Sequence, residues 1–299
     1  MTLKRFLNSK MIRKIRNNQI VRKSIALGKQ FPRLGKQISS KKEDYLRFPP
    51  VLANSFPKSG THLLLQIVEA FPKVVNYGTF IASMPSVTFK ERSRKAHLRL
   101  LSSIVPGEVI PAHLFYQSDH ERLLSEKNCV HFFIYRDPRD VVVSEAHYLA
   151  KMNRWHRMHP YFKSLNNLNE QISMSILGVN QSHFPYDYPD VAKRFSRYNK
   201  WFQSSKVFTI RYEDLISPGR RKFLREMVIF YAERSSVNVE IESVVAAMER
   251  NITPEKSHTF RQGGAGAWKT AFTDDHKLQM KQVAGNLLIE LGYERDKYW

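Results

Sequence analysis

Short apolar runs of strand length alternate with segments of helical spacing along most of the chain. Residues 51–56 form the first apolar run, residues 57–60 a polar turn, and residues 61–71 a segment with apolar positions three and four apart, which predicts strand, loop and helix. Further strands are predicted at 129–135 and 206–210, a short apolar run at 109–114, and helices at 121–126, 141–150, 168–177, 191–202, 218–231 and 276–291. Strands that alternate with helices favour a three-layer α/β/α domain with a mainly parallel central sheet.

The turn after the first strand carries residues suited to binding an anion. The free N–H groups and the dipole of the following helix attract negative charge. Lys58 adds a full positive charge, Ser59 and Thr61 add hydroxyl donors, and Gly60 lets the backbone approach a ligand closely. The loop is therefore predicted to hold a phosphate-like group, with an ordinary surface turn as the alternative.

This loop is P-loop-like in its place between strand and helix, but its residue order differs from that of a nucleoside-triphosphate loop. In that motif the lysine follows the second glycine and another glycine lies upstream. Here Lys58 precedes the loop's single glycine, Gly60. The order disfavours a kinase or an ATPase, and a nucleotide kinase is kept as an alternative.

Candidate functional residues follow the predicted strands at their carboxyl ends. Lys58, His113, Arg136 and Tyr212 each come just after an apolar run. Ligands of parallel α/β sheets bind beyond the carboxyl ends of the strands, so one crevice is expected to collect these side chains. The segments 76–94 and 152–188 are expected to supply the pocket walls.

Composition adds an uneven charge to this picture. Of the net charge of +21, a charge of +13 comes from residues 1–42, which contain no aspartate or glutamate. No apolar run reaches the roughly 18 residues of a membrane-spanning helix. The single cysteine, Cys129, adjoins an apolar run and is predicted to be buried, which fits a reducing compartment. A cytoplasmic protein is expected, with or without membrane association.

The basic N-terminal segment is predicted to be a tail, residues 1–44, before a domain of residues 45–299. Apolar residues of the tail share one helical face at Leu3, Phe6, Leu7, Met11 and Ile15. Such a helix is suited to peripheral contact with an anionic membrane surface. A disordered arm, a helix packed on the domain and an organellar transit peptide are the alternatives. A protein that binds membrane surfaces or nucleic acid through its charge is a further alternative, nucleic acid being the less expected partner.

Four separated stretches resemble the sulfotransferases that use 3′-phosphoadenosine 5′-phosphosulfate (PAPS), the soluble cytosolic type in particular. They are Phe56-Pro-Lys-Ser-Gly-Thr61, Tyr135-Arg-Asp-Pro-Arg-Asp-Val-Val-Val-Ser144, Arg211-Tyr-Glu-Asp214 and Arg261-Gln-Gly-Gly-Ala-Gly-Ala-Trp-Lys-Thr-Ala-Phe-Thr273. Their order is that of the family, and the resemblance covers residues 45–273. It leaves the basic tail unexplained.

The resemblance implies a set of donor-binding residues. The 5′-phosphosulfate would be held at Lys58, Ser59, Gly60 and Thr61, with His62 beside them. The 3′-phosphate would be held at Arg136 and Ser144, with a second contact from Arg261, Gln262 and Gly263. The adenine would lie beside Tyr212. The alternative is that these residues have structural roles only. Arg136 would pair with Asp140, Asp137 would cap the next helix, and Tyr212 would pack against its neighbours. Trp268 is predicted to be a core residue.

The resemblance also implies a mechanism. His113 matches the catalytic histidine and would take a proton from the hydroxyl of an acceptor, which is a small molecule, a lipid or a glycan. Lys58 would stabilise charge on the leaving phosphate. No metal is implied. The chain departs from the family pattern at Leu63, Pro111, Gln262 and Ala267, and residues 274 and 278 do not support the family's dimer motif.

Overall fold

The computed structural model describes residues 19–179, 184–253 and 264–299. A five-stranded parallel sheet forms the centre of these ranges, in the order β2-β3-β1-β4-β5. The strands are β1 (Val51–Ser55), β2 (Ile81–Ala82), β3 (Val109–His113), β4 (Val130–Tyr135) and β5 (Val207–Arg211). The predicted strands at 51–56, 129–135 and 206–210 are confirmed to within one residue at each end. All residues of the central strand β1 are buried, because helices cover both faces of the sheet.

The helices supply the two outer layers. They are α1 (Gln19–Ser39), α2 (Lys42–Arg47), α3 (Thr61–Val68), α4 (Arg94–Ser102), α5 (Ser118–Glu126), α6 (Pro138–His147), α7 (His159–Ser164), α8 (Leu168–Leu177), α9 (Val191–Ser196), α10 (Asn199–Gln203), α11 (Tyr212–Ile216), α12 (Arg220–Ala232), α13 (Ile241–Asn251), α14 (Trp268–Ala271) and α15 (Asp274–Glu290). A π-helical turn, Tyr148–Met152, continues α6. This architecture confirms the predicted three-layer α/β/α fold.

Alternate residues of the strands contribute to two separate cores. Val51 and Ala53 of β1 face a core shared with α3, α12 and α13. Leu52, between them, faces a core shared with α6, α8, α9 and α15. The period of two along the strand therefore assigns one helical layer to each face of the sheet.

Two predicted elements differ from the structure. The helix predicted over 191–202 is two short helices, α9 and α10, which meet at Tyr198; this side chain is buried among the rings of Phe56, Phe115 and Phe133. The segment 76–94, predicted without regular structure, contains β2, whose two residues are too few to give a sequence pattern.

The described part of the N-terminal segment is helical and contacts the domain. Arg33 of α1 is buried and donates from Nε to Oε1 of Glu108 at 2.7 Å and from a terminal nitrogen to the carbonyl of Ser103 at 2.9 Å. Of the alternatives for the tail, this part fits a helix packed on the domain. The amphipathic pattern of residues 3–15 lies outside the described residues, and the division at residue 45 stays a prediction.

Two smaller expectations can be compared with the structure. Cys129 is buried, as predicted. Within the described ranges no helix has both the length and the apolar character needed to cross a membrane.

Candidate active site

A cavity of about 1240 Å³ lies at the carboxyl edge of the sheet. Most of the described residues predicted for the site line it: Lys58, Gly60, Thr61, His62, His113, Arg136, Ser144 and Tyr212. The parallel topology explains this, because β1, β3, β4 and β5 all end at this edge. Ser59 does not line the cavity; its side chain is fully buried. The predicted Arg261, Gln262 and Gly263 lie outside the described residues.

The loop between β1 and α3 has the backbone of an anion-binding turn. Lys58 and Gly60 have left-handed backbone angles, with φ of 68° and 101°. Gly60 precedes the first turn of α3, and its carbonyl accepts the N–H of Leu64. The hydroxyl of Ser59 is buried with no hydrogen-bond partner among the described residues. The loop thus brings together the N-terminus of α3, a lysine and a buried hydroxyl that has no partner among the described residues.

Lys58 extends into the cavity beside an aromatic ring. Its ammonium nitrogen lies 3.8 Å from the ring centroid of Tyr148, in the π-helical turn after α6. A ring face attracts a cation without neutralising it. Tyr148 therefore holds the ammonium near the loop.

His113 is the last residue of β3, and its ring is held by Ser55, the last residue of β1. Its Nδ1 lies 3.0 Å from the carbonyl oxygen of Ser55 and 3.1 Å from the Ser55 hydroxyl. Because a carbonyl only accepts, Nδ1 carries the proton in the neutral ring, and Nε2 keeps its lone pair. The Ser55 hydroxyl also lies 2.7 Å from the Thr61 hydroxyl, so one serine joins the histidine to the anion loop.

The protonation state of His113 follows from its surroundings. Desolvation by the surrounding protein is the main cause that lowers its pKa, and the nearby Lys58 charge also lowers it, against backbone hydrogen bonds that raise it; the resulting pKa is about 4. The imidazole is therefore neutral near pH 7. A neutral imidazole with a free Nε2 is able to accept a proton.

Arg136 follows β4 and contacts a carboxylate, a carbonyl and a ring. One terminal nitrogen donates to Asp140 at 3.2 Å and to the carbonyl of Gly264 at 2.7 Å. Its guanidinium carbon lies 4.6 Å from the ring centroid of Tyr212. Nε is buried and has no partner among the described residues. The predicted Arg136–Asp140 pair is therefore present, and Arg136 still has a donor free for an anion beside Ser144.

Asp140 also fixes the start of the C-terminal segment. Its carboxylate accepts the N–H groups of Gly266 at 2.7 Å and of Trp268 at 3.0 Å. Trp268 is half-buried and packs with Trp299 and the guanidinium of Arg139. This agrees with the prediction that Trp268 packs on the core. One buried carboxylate thus places residues 264–268 next to Arg136.

The neighbours of Tyr212 have structural roles. Asp137 caps α6 by accepting the N–H of Arg139. Glu213 accepts the N–H of Asp137 at 3.1 Å and the hydroxyl of Tyr293 at 2.9 Å. The capping alternative therefore holds for Asp137, and Glu213 links Asp137 to Tyr293, whereas Tyr212 lines the cavity.

Several lining residues were not among the predicted site residues. The segment 76–94, predicted as a pocket wall, contributes Phe80, whose ring contacts that of His113 at 5.1 Å between centroids. Other lining side chains are Met84, Phe89, Arg92, Phe115, Tyr148, His156, Tyr188, Arg194 and Arg197. The predicted wall segments 76–94 and 152–188 contain six of these residues, whereas no sequence pattern indicated Phe115, Tyr148, Arg194 or Arg197. The end of the cavity beyond His113 is thus mainly apolar and aromatic, with a few cations.

Metal ligands do not gather in the part of the chain that the structure describes. No group of three or more histidine, cysteine, aspartate or glutamate side chains there is arranged to hold an ion.

Comparisons with known proteins agree with the fold and the motifs. The sulfotransferase domain family matches the sequence over residues 48–292. No curated protein matches it significantly. Among solved structures, the chain is similar to mouse sulfotransferase SULT7A1 complexed with PAP, at 18% identity and a TM-score of 0.56, with 85% of this chain and 88% of that chain covered. It is also similar to retinol dehydratase in complex with androsterone and the inactive cofactor PAP, at 16% identity and a TM-score of 0.52, with 86% and 85% covered. At these identities the two structures show a shared fold.

Proposed function

The chain belongs to the sulfotransferase family and is a PAPS-dependent sulfotransferase, and on this premise we propose that His113 is its general base and Lys58 its electrostatic catalyst. The acceptor is a hydroxyl compound. The observation that carries this proposal is that His113, Lys58 and Arg136 line one cavity at the ends of three neighbouring strands.

The residues around the cavity fit a bisphosphorylated nucleotide. The loop residues Lys58 to Thr61, with His62 next to them, would bind the 5′ end through the N-terminal N–H groups of α3 and the Lys58 ammonium. Arg136, with its unpartnered Nε, and Ser144 bind the 3′-phosphate. By the motif resemblance, Arg261, Gln262 and Gly263, which lie outside the described residues, would add a second contact to that phosphate, and Tyr212 would lie beside the adenine. When bound, PAPS supplies the activated sulfuryl group.

The proton and the developing charge are handled by two side chains. Nε2 of His113 accepts the proton of the acceptor hydroxyl, while the Ser55 carbonyl holds Nδ1–H and fixes the orientation of the ring. Lys58 stabilises the negative charge that develops on the leaving phosphate, so its effect is greater in the transition state than in the ground state.

Calorimetry with 3′,5′-adenosine bisphosphate and with adenosine 5′-diphosphate tests the nucleotide site. The wild-type protein is expected to bind the 3′,5′ compound more tightly, because only this ligand engages both anion sites. Arg136→Gln is expected to lose most of that preference, by about tenfold or more, as charge-assisted hydrogen bonds contribute roughly 1.5–3 kcal/mol. Tighter binding of the 5′-diphosphate with magnesium would instead favour a nucleotide kinase.

The N-terminal helix supports a proposal about location. Phe31, Leu34 and Ile38 are 74%, 53% and 88% exposed. Their spacing of three and four residues places them together on one face of α1, away from the buried Arg33. Since the first 42 residues also carry thirteen lysines and arginines and no acidic residue, we propose that this helix contacts an anionic membrane surface at the cytoplasmic side, where a lipid acceptor would be within reach. A soluble small molecule or a glycan is the other acceptor class.

A further inference from the structure

The acceptor end of the cavity is the part beyond His113. The cations that line it differ in whether a carboxylate balances their charge. Three of them have a carboxylate partner: Arg194 with Glu145 at 3.0 Å, Arg197 with Glu91 at 2.5 Å and Lys193 with Asp190 at 3.0 Å. Arg92 also lines the cavity. No hydrogen bond or ion pair of its guanidinium with a described residue is present, and its Nε is buried. Arg92 is therefore the cation at this end whose charge no described carboxylate balances.

Hydrogen bonds through Ser83 connect the backbone of Arg92 to β3, the strand that ends at His113. Its N–H donates to the carbonyl of Ser83 at 2.9 Å, and the Ser83 N–H donates to the carbonyl of His113 at 2.9 Å. The Ser83 hydroxyl accepts the N–H of Phe115 at 2.9 Å. Ser83 is fully buried. One rigid residue thus fixes the Arg92 backbone near the proposed base.

Apolar side chains of the segments that carry His113 and Arg92 also line the cavity. Phe80 contacts the His113 ring, and the ring of Phe115 lies under the guanidinium of Arg197 at 4.2 Å. Met84 and Phe89 line the same wall. The carboxylate of Asp187 also lines the cavity, but it is exposed, so solvent solvates its charge. This end of the cavity therefore has a proton acceptor, apolar side chains and a cation, Arg92, whose charge no described carboxylate balances.

We propose that the acceptor of this enzyme is an apolar hydroxyl compound that also carries a carboxylate, and that Arg92 binds this carboxylate. A planar guanidinium matches a carboxylate with two parallel hydrogen bonds, and a donor buried without a partner is costly until an acceptor reaches it. The inference rests on the proposed function, because it takes the hydroxyl at His113 as the reacting group.

A panel of hydroxy acids with spacers of graded length, each compared with its methyl ester, tests the proposal. Binding is measured calorimetrically to the full chain saturated with 3′,5′-adenosine bisphosphate. At the best spacer length the wild type is expected to bind the acid about tenfold to hundredfold more tightly than the ester. Arg92→Gln is expected to bring this ratio close to one. It removes no intramolecular ion pair, so the fold is expected to remain intact.

The matched control is Arg94→Gln, two residues along the chain. Arg94 is exposed and pairs with Asp119, and the ratio should stay at the wild-type value. A wild-type ratio near one at every length, or an unchanged ratio in Arg92→Gln, would overturn the inference. If the wild type transfers sulfuryl to neutral phenols while acids show no advantage, the proposed function stands and this inference fails. If no acceptor is sulfated but the acid preference still depends on Arg92, the binding site stands and the proposed function fails.

Discussion

A Cβ atom added at Gly60 would lie 2.6 Å from Cδ2 of Tyr212. The loop between β1 and α3 and the tyrosine after β5 are therefore in contact at a distance that only glycine permits. Since φ of Gly60 is 101°, any other residue would also be strained there. The turn after β1 and the residue after β5 are thus held against each other by one glycine and one ring.

Gly60→Ala is expected to lower both stability and nucleotide affinity. The left-handed backbone and the displaced Tyr212 ring together should cost about 1–3 kcal/mol in the free energy of unfolding. Urea denaturation and calorimetry with 3′,5′-adenosine bisphosphate measure the two effects. Gly285→Ala is the control: its Cβ would meet nothing closer than 3.7 Å, and helix propensity predicts an unchanged or slightly more stable protein. Equal behaviour of both variants would contradict the argument.

The pH dependence of turnover should reflect the lowered pKa of His113. Protonation removes the lone pair on Nε2, so activity is present above the pKa of the free enzyme and is lost as pH falls through about 4. The acidic limb of kcat/KM is therefore expected near pH 4, well below the ordinary value of about 6.5 for histidine. An acidic limb near 6.5 would show that the burial argument for His113 is wrong.

His131 provides a separate test through stability. It is buried in β4 against Trp201, its Nε2 has no partner among the described residues, and burial lowers its pKa to about 3. Between about pH 6.5 and pH 3 the unfolded chain binds a proton at this residue that the folded chain does not, so acid favours unfolding there. His131→Leu removes this effect.

The size of that effect is measurable by urea denaturation at two pH values. Relative to the wild type, His131→Leu is expected to gain about 2 kcal/mol in the free energy of unfolding on going from pH 7.5 to pH 5. Any fixed packing change from the substitution is common to both pH values and cancels. A difference that is independent of pH would mean that His131 is not neutral in the fold.

Binding to lipid vesicles tests the proposed role of α1. Replacing Phe31, Leu34 and Ile38 by serine is expected to reduce cosedimentation with phosphatidylserine-containing vesicles several-fold, because the apolar face that enters the lipid interface is lost. Leu278→Ser is the control, since Leu278 is an exposed apolar residue, 68% accessible, on α15. The wild-type protein should bind less to vesicles of neutral lipid alone than to vesicles that contain phosphatidylserine. Unchanged binding of the triple variant would refute the helix contact.

The main features of the fold and half of the site follow from local sequence. Apolar runs that are buried on both faces predict parallel strands. Parallel strands bring four residues to one edge of the sheet, independently of the loop conformations: Lys58, His113, Arg136 and Tyr212. The positions of these four residues can therefore be predicted from the strand ends alone.

The rest depends on contacts between distant segments. Arg33 and Glu108 are 75 residues apart, so the packing of α1 left no local pattern. The backbone link from Arg92 to His113 runs through the hydrogen bonds of Ser83. The break between α9 and α10 depends on the rings around Tyr198. Loop shape and buried ion pairs are set by tertiary structure, which periodicity does not encode.

The most direct measurement is the transfer of a radiolabelled sulfuryl group from PAPS to a panel of phenols, steroid alcohols and hydroxy acids, for the wild type, His113→Ala and Lys58→Ala. The wild type is expected to label at least one acceptor. His113→Ala should lose about 10²-fold or more in turnover, the usual effect of removing a general base, while binding 3′,5′-adenosine bisphosphate with near wild-type affinity, and Lys58→Ala should also lose most of its turnover. Near-normal turnover of His113→Ala would contradict the account.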